Sequence, residues 1–269
     1  QYISPVRRIL TVPRRLQIGP QILIELYGDS SKPLTRRGLM GNHFSITISG
    51  VEIDETRIKA MDEVSSLLRG LKIPNFYGYQ RFGSRRPVSH LVGREIVKRR
   101  FDEAAKTLLT YSYGQENPKV KELRTMCEDP ANYPLVFKGL GDEWNVEKQV
   151  LKALIQRPEG YIAALRAIPL NLRRLFVHAY QSYLFNRFLS LALIEGLDIS
   201  SVDLGDMYAL IDSRGGRTIK IDRAKSQLSG QPSFISVPLL PLVGYAYRSQ
   251  GGRFDRLVDR VLEEEGVSS

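Results

Sequence analysis

Residues 74–87, PNFYGYQRFGSRRP, hold four aromatic side chains, three arginines, two glycines and two prolines. That density of Gly and Pro excludes a regular helix or strand, so the stretch is a loop. Phe76, Tyr77, Tyr79 and Phe82 crowd into it, a composition that is unfavourable to leave in water and hard to bury in a regular element. A loop of this kind suits single nucleobases. Aromatic faces stack on any base for about 1–3 kcal/mol each, an arginine holds phosphate, and an asparagine such as Asn75 can pair with a base edge. The same rings could instead plug a gap beneath a sheet, a role open to Phe76 and Phe82 in particular.

Outward from the loop the pattern resolves into elements. Downstream, Ser89 can cap a helix running through Arg100. Upstream, Asp54 can cap a helix that sets Ile58, Met61, Val64, Leu67 and Leu68 on one face at spacings of three and four. Before it, QILIELYG (21–28) and HFSITISGV (43–51) read as strands joined by SSKPLTRRGLMGN. Beyond about residue 98 the pattern becomes mostly helical, in FDEAAKTLL, VEKQVLKALIQ and a long run from Asn171 to Glu195. MYALID and RTIKID flank Ser213-Arg214-Gly215-Gly216 as a hairpin. The expectation is an α+β protein in two parts, 1–98 and 99–269. Gln1 opens directly into a strand-like stretch and VLEEEGVSS comes after a helix without a closing element, so both ends are expected to be cuts in a longer chain.

Charge separates the same two parts. Of 39 Lys and Arg and 29 Asp and Glu, 18 and 8 lie in residues 1–100, so the remaining residues balance at 21 each. Much of the excess comes in tandem: Arg7-Arg8, Arg14-Arg15, Arg36-Arg37, Arg85-Arg86 and Lys98-Arg99-Arg100. A basic segment beside a neutral one is the footprint of a nucleic-acid surface joined to a packing or clamping module, although a solvated cationic face gives the same count. Charge does not separate RNA from DNA.

Other classes are disfavoured. No run approaches the roughly 18–20 consecutive apolar residues of a membrane span, and QYISPVRRIL lacks the apolar stretch of a signal peptide, so a cytoplasmic protein is expected. A single cysteine excludes an internal disulfide, and Cys127 with His43, His90 and His178 offers no close metal-ligand spacing. Cys127 sits in the polar stretch RTMCEDPANYP, a poor setting for a nucleophile.

Several stretches resemble one family. The central loop is similar to the Pro-Asn-Tyr-Phe-Gly-x-Gln-Arg-Phe-Gly motif of the TruD RNA pseudouridine synthases, and RPVSHLVGREIV resembles the Arg-Pro, His and Val-Gly positions next in line in archaeal members. PLTRRGLMGNHFSITI, RRLFVHAYQSYLFN (173–186), LGD (204–206) and PLLPLVGY (238–245) resemble further landmarks in the same order, so the resemblance covers essentially the whole chain. It implies a mixed, largely antiparallel pseudouridine synthase sheet with helices, into which a mostly helical α+β domain is inserted. It further implies isomerisation of a uridine in tRNA to pseudouridine, without cofactor or metal.

The family nucleophile is an aspartate in Gly-x-Lys-Asp-x-x-Ala-x-Thr-x-Gln, and Gln1 matches only the final residue. The resemblance therefore puts the nucleophile seven positions before Gln1, outside the 269 residues, and leaves them inactive by themselves. Carried over by position, Asn75 orients the aspartate or the uracil edge, unless it only shapes the loop. Tyr77 falls where most members have Phe and would stack on the target base. Arg81 would bind phosphate or fix the loop through a carboxylate, and RNA would lie across Gln1, Arg36, Arg37, Arg81, Arg85 and Arg86. His90 and Gly93 fit the pattern, with His90 near a helix start more often structural. In the helix that carries 173–186, Phe176, Tyr180, Leu184 and Phe188 form a core stripe, while Gln181 either faces a cleft or makes a buried hydrogen bond. Asp206 after Gly205 reads as a turn former. A non-catalytic RNA binder on a degraded synthase, or an adaptor whose aromatic loop binds protein, remain as alternatives.

Overall fold

The computed structural model describes residues 14–20, 22–26, 28, 45–47, 49–50, 54–70, 74–114, 116–212, 218–225, 233–249 and 251–267. Its elements run β1 (Arg15–Ile18), β2 (Ile22–Glu25), α1 (Glu55–Gly70), α2 (Ser89–Val97), α3 (Phe101–Thr110), α4 (Pro118–Met126), α5 (Tyr133–Gly139), α6 (Asn145–Gln156), α7 (Tyr161–Ala167), α8 (Leu170–Ile194), β3 (Met207–Asp212), β4 (Thr218–Arg223), β5 (Phe234–Pro238) and α9 (Asp255–Glu264). Helix and antiparallel sheet thus combine in an α+β chain.

The helical stretches fall where the periodicity puts them. Asp54 caps α1, its Oδ1 accepting the Arg57 N–H at 2.8 Å. Of the predicted stripe of α1, however, Ile58, Met61, Val64 and Leu67 stay exposed, Leu67 at 70%. Ser89 does not cap: α2 begins on it, and its N–H donates to the Phe82 carbonyl at 3.1 Å, which ties the helix start to the central loop. Of the two predicted strands, the first shortens to β2 and pairs with β1, Arg15 opposite Glu25. The second is not formed at residues 45–47 and 49–50, where no described strand supplies the hydrogen-bonding partner that a strand needs. MYALID and RTIKID pair antiparallel as β3 and β4, with β5 on the other edge of β3, giving the order β4-β3-β5. The turn at 213–216 lies outside the described residues.

One long helix organises the packing. At 25 residues and 1.5 Å per residue, α8 is about 37 Å long. Phe176, Tyr180, Leu184 and Phe188 are all buried along it, the stripe expected from their spacing of four. Phe176 joins a core built by α2 to α7, around Val92, Leu109, Leu151 and Ile168. Tyr180, Leu184 and Phe188 join a second cluster with Val243 and with Val258 and Val261 of α9. Gly93 lets α2 lie directly on α8: a Cβ there would stand 2.0 Å from the Phe176 carbonyl oxygen, so any side chain forces the helices apart.

Candidate functional site: an aromatic loop clamped to the long helix

The central loop is shaped first by its own backbone. Tyr79–Arg81 form one turn of 3₁₀ helix, and Gly83 comes next but one at φ 111°, a conformation open to glycine, where a Cβ would come within 2.2 Å of the Arg86 carbonyl oxygen. The loop is then fastened to α8. Asn186 Oδ1 accepts the Tyr77 N–H at 2.9 Å and its Nδ2 donates to the Tyr77 carbonyl at 3.0 Å, so one side-chain amide pairs with a whole backbone residue. A ladder of rings makes a second attachment. Phe82 meets His90 edge-on at 5.2 Å, His90 stacks on Tyr183 at 5.2 Å, and Tyr183 stacks on Tyr180 at 6.2 Å.

His90 is therefore an anchor. Burial holds its imidazole below the usual histidine range, and neighbouring Arg94 pushes the same way. Phe82 shares that anchoring role, in keeping with a plug residue.

The anchored loop presents a mixed face. Tyr77 is half-buried, its ring edge-on to Phe185 at 5.4 Å and overlain by the Arg81 guanidinium at 5.1 Å. Arg81 is thus placed by the Tyr77 ring, with no carboxylate partner among the described residues. Asn75 is exposed, and its amide bonds to no described residue. Phe76 and Arg85 are exposed as well, and Tyr79 is the most open ring of the loop at 84%. Asn75, Tyr77, Arg81 and Arg85 are in this way brought together on one loop. Gln1, Arg36 and Arg37 lie outside the described residues.

Arg86 departs from expectation. Its side chain is 9% exposed, with Nη1 donating to the Leu108 and Tyr111 carbonyls and Nη2 to Glu147 Oε1 at 2.8 Å. Arg124 binds Glu116 at 3.1 Å beside it, closing a buried group of two arginines and two glutamates. Burial, reinforced by Arg124, pulls the Arg86 pKa down to about 10, which the glutamates only partly oppose. A guanidinium so enclosed cannot meet phosphate. The tandem Arg85-Arg86 pair splits because neighbouring residues on a turn point apart, one to solvent and one into the helices behind.

Two site residues carry no distinguishing signal in the sequence. Asn186 reads there as part of an architectural motif, and its clamp spans 109 positions of chain. Tyr79 is one of four rings with nothing local to rank it as the exposed one. The neighbouring motif residues are structural: Gln181 Nε2 donates to the Val243 carbonyl at 2.7 Å, and Asp206 is buried against Arg253, accepting from Nη2 at 2.6 Å. Burial pushes the Cys127 thiol up to about 11, unsuited to a nucleophile.

Fold and site together define an α+β protein with an aromatic, arginine-bearing loop held on a central helix. The family model described as tRNA pseudouridine synthase D (TruD) matches residues 1–269, and the chain belongs to that family. It is 34% identical over 255 residues to a Methanopyrus kandleri protein named "Probable tRNA pseudouridine synthase D", covering 94% of this chain and 56% of the relative. A Methanococcoides burtonii protein of the same name is 29% identical over 91% of this chain and 57% of its own length. One from Pyrococcus abyssi is 29% identical over 100% of this chain and 65% of its own length. The crystal structure of a Methanosarcina mazei protein titled as a tRNA pseudouridine synthase D superposes with a TM-score of 0.67 at 29% identity, over 80% of this chain and 50% of that one. The chain thus spans little more than half the length of most of these relatives.

Proposed function

We propose that this chain is the substrate-holding part of a tRNA pseudouridine synthase, working in the cytoplasm on a uridine of tRNA. The observation that carries the reading is the clamped loop, which holds on one segment an aromatic ring, the half-buried Arg81 over it, the exposed Arg85 and an exposed amide with no partner among the described residues, in the stretch that resembles the family's central motif. A uridine turned out of its stack would lie against an aromatic face, with Asn75 at the uracil edge and Arg81 and Arg85 at phosphate. Isomerisation breaks the C1′–N1 bond and forms one from C1′ to C5, with the C5 proton lost and a proton taken up at N1. A ring and an amide position the base for this without activating the bond. The activating group in the family is the aspartate of the Gly-x-Lys-Asp motif, a run that the 269 residues do not contain. Residues 1–98 would belong to the catalytic domain and 99–269 to the inserted one.

Two measurements test the reading. The 269-residue chain should bind tRNA with an affinity that falls steeply with salt, and carbodiimide adduct mapping should find no new pseudouridine. Product formed by this chain alone would move the chemistry to another residue. In a polypeptide that carries the aspartate motif and is active, Tyr77→Phe should keep most activity and Tyr77→Ala should lose about ten-fold or more, as expected for one lost stacking contact. Equal damage by both would give the hydroxyl a chemical role and remove stacking as the explanation.

A further inference from the structure

A groove of about 350 Å³ opens between α7, the start of α8 and the junction of α2 with α3. Its floor is apolar, with Phe101, Leu165 and Val177, and two of its aliphatic side chains are exposed, Ile162 at 49% and Leu170 at 50%. Its rim carries Arg166, Arg173, Arg174 and His178, and no carboxylate lines it among the described residues. Arg166 and Arg174 are exposed and take no partner among the described residues, while Arg173 is held to the groove edge by its Nε bond to the Ile168 carbonyl at 3.0 Å. Lys98-Arg99-Arg100 connects two lining residues, Ile96 and Phe101. Of these three only Arg100 is neutralised among the described residues, by the buried Glu95. The region after residue 100 is neutral in sum, so this concentration of cations is local.

We propose that the groove is a second RNA-binding subsite, which takes an unpaired nucleotide of the substrate with its base on the apolar floor and its flanking phosphates on Arg166 and Arg174. The inference rests on the tRNA reading above. Its volume falls within the roughly 300–1,000 Å³ of small-molecule pockets. Arginine suits both halves of the task, since its planar group stacks on bases and pairs bidentately with phosphate. Position supports it too. His178 at the groove and Phe185 against Tyr77 are seven residues apart on α8, two turns along the same face. The groove thus lies about 10 Å of helix axis from the aromatic loop.

The test is tRNA binding by the 269-residue chain across about 50–200 mM salt, the range in which phosphate contacts are lost. Arg166→Ala/Arg174→Ala should weaken binding about ten-fold or more and make the slope of log affinity against log salt shallower by about 1.5–2, the release expected for two phosphates. Its thermal midpoint should not move, as both side chains are exposed and unpaired. Ile162→Asp, which places a carboxylate in the floor, should also weaken binding, and 4-thiouridine in the tRNA should crosslink to the peptide 162–178. Unchanged affinity and slope in the double variant, with Arg81→Ala still weakening binding, would overturn the groove and leave the tRNA reading standing. A wild-type chain that binds no tRNA would remove both. Binding of an acidic peptide such as oligoglutamate that is lost in the double variant while tRNA binding is not would assign the groove to a protein partner instead.

Discussion

Asn186 uses both ends of its amide on the Tyr77 peptide, and nothing smaller can do the same. Asn186→Ala leaves a partly buried N–H and C=O without partners, which costs about 1–3 kcal/mol. The thermal midpoint should fall and tRNA affinity should drop with it, because the loop is freed. Asn186→Asp keeps the acceptor for the N–H and loses the donor to the carbonyl, so it should lie between wild type and Ala; an Asp variant worse than Ala would mean that the clamp matters through charge. Arg85 and Arg86 make an opposite pair of expectations at adjacent positions. Arg86→Ala takes from buried Glu147 its 2.8 Å partner, leaving Arg124 at 3.6 Å, and should destabilise by about 3–5 kcal/mol, as breaking a buried ion pair does. Arg85→Ala should leave stability unchanged and reduce the salt slope of tRNA binding by about one phosphate. Identical behaviour of the two variants in melting and binding would contradict the burial that separates them.

Among the elements, the contact of α2 with α8 is the most exacting. Gly93 has the Phe176 carbonyl against it, and backbone cannot swing aside as a side chain can. Gly93→Ala should therefore destabilise by at least the 1–3 kcal/mol or so typical of overpacking, measurable as an earlier urea midpoint, whereas Gly196→Ala, at a helix end with open space around it, tests strain alone. A neutral Gly93→Ala would show that the two helices are farther apart. The helices themselves are legible in the sequence, because periodicity in α1, α3, α6 and α8 is a local signal. Partnership is not. The exposed apolar residues of α1 and the unformed strand at 45–47 and 49–50 show that an amphipathic or alternating pattern states which side wants cover, not what covers it. The site divides in the same way: composition marks the loop as chemical, while the inward turn of Arg86 and the role of Asn186 depend on contacts 61 and 109 positions away.

Across the whole molecule, α8 carries the attachments that matter. Leu170, Arg173, Arg174, Val177 and His178 line the basic groove, Phe176 and Tyr180 belong to successive cores, Gln181 holds the 238–245 segment, Asn186 holds the loop, and Arg187 reaches Glu264 of α9 at 2.6 Å. Long, regular helices of this kind often tolerate substitution on their open faces. This one leaves almost no arc unused. A single residue inserted between Gln181 and Asn186 turns everything after it by about 100° and moves it about 1.5 Å. The amide of residue 186 would then leave Tyr77, and Phe188 would leave its core, while the groove upstream kept its shape. Insertion scanning should accordingly find α8 closed to changes of length between 176 and 188, with growth or soluble yield as the readout, and the segment between β3 and β4 far more permissive. Descendants of this sequence can alter loop, groove and rim residues one at a time, but the helix that spaces them has to be inherited at constant length.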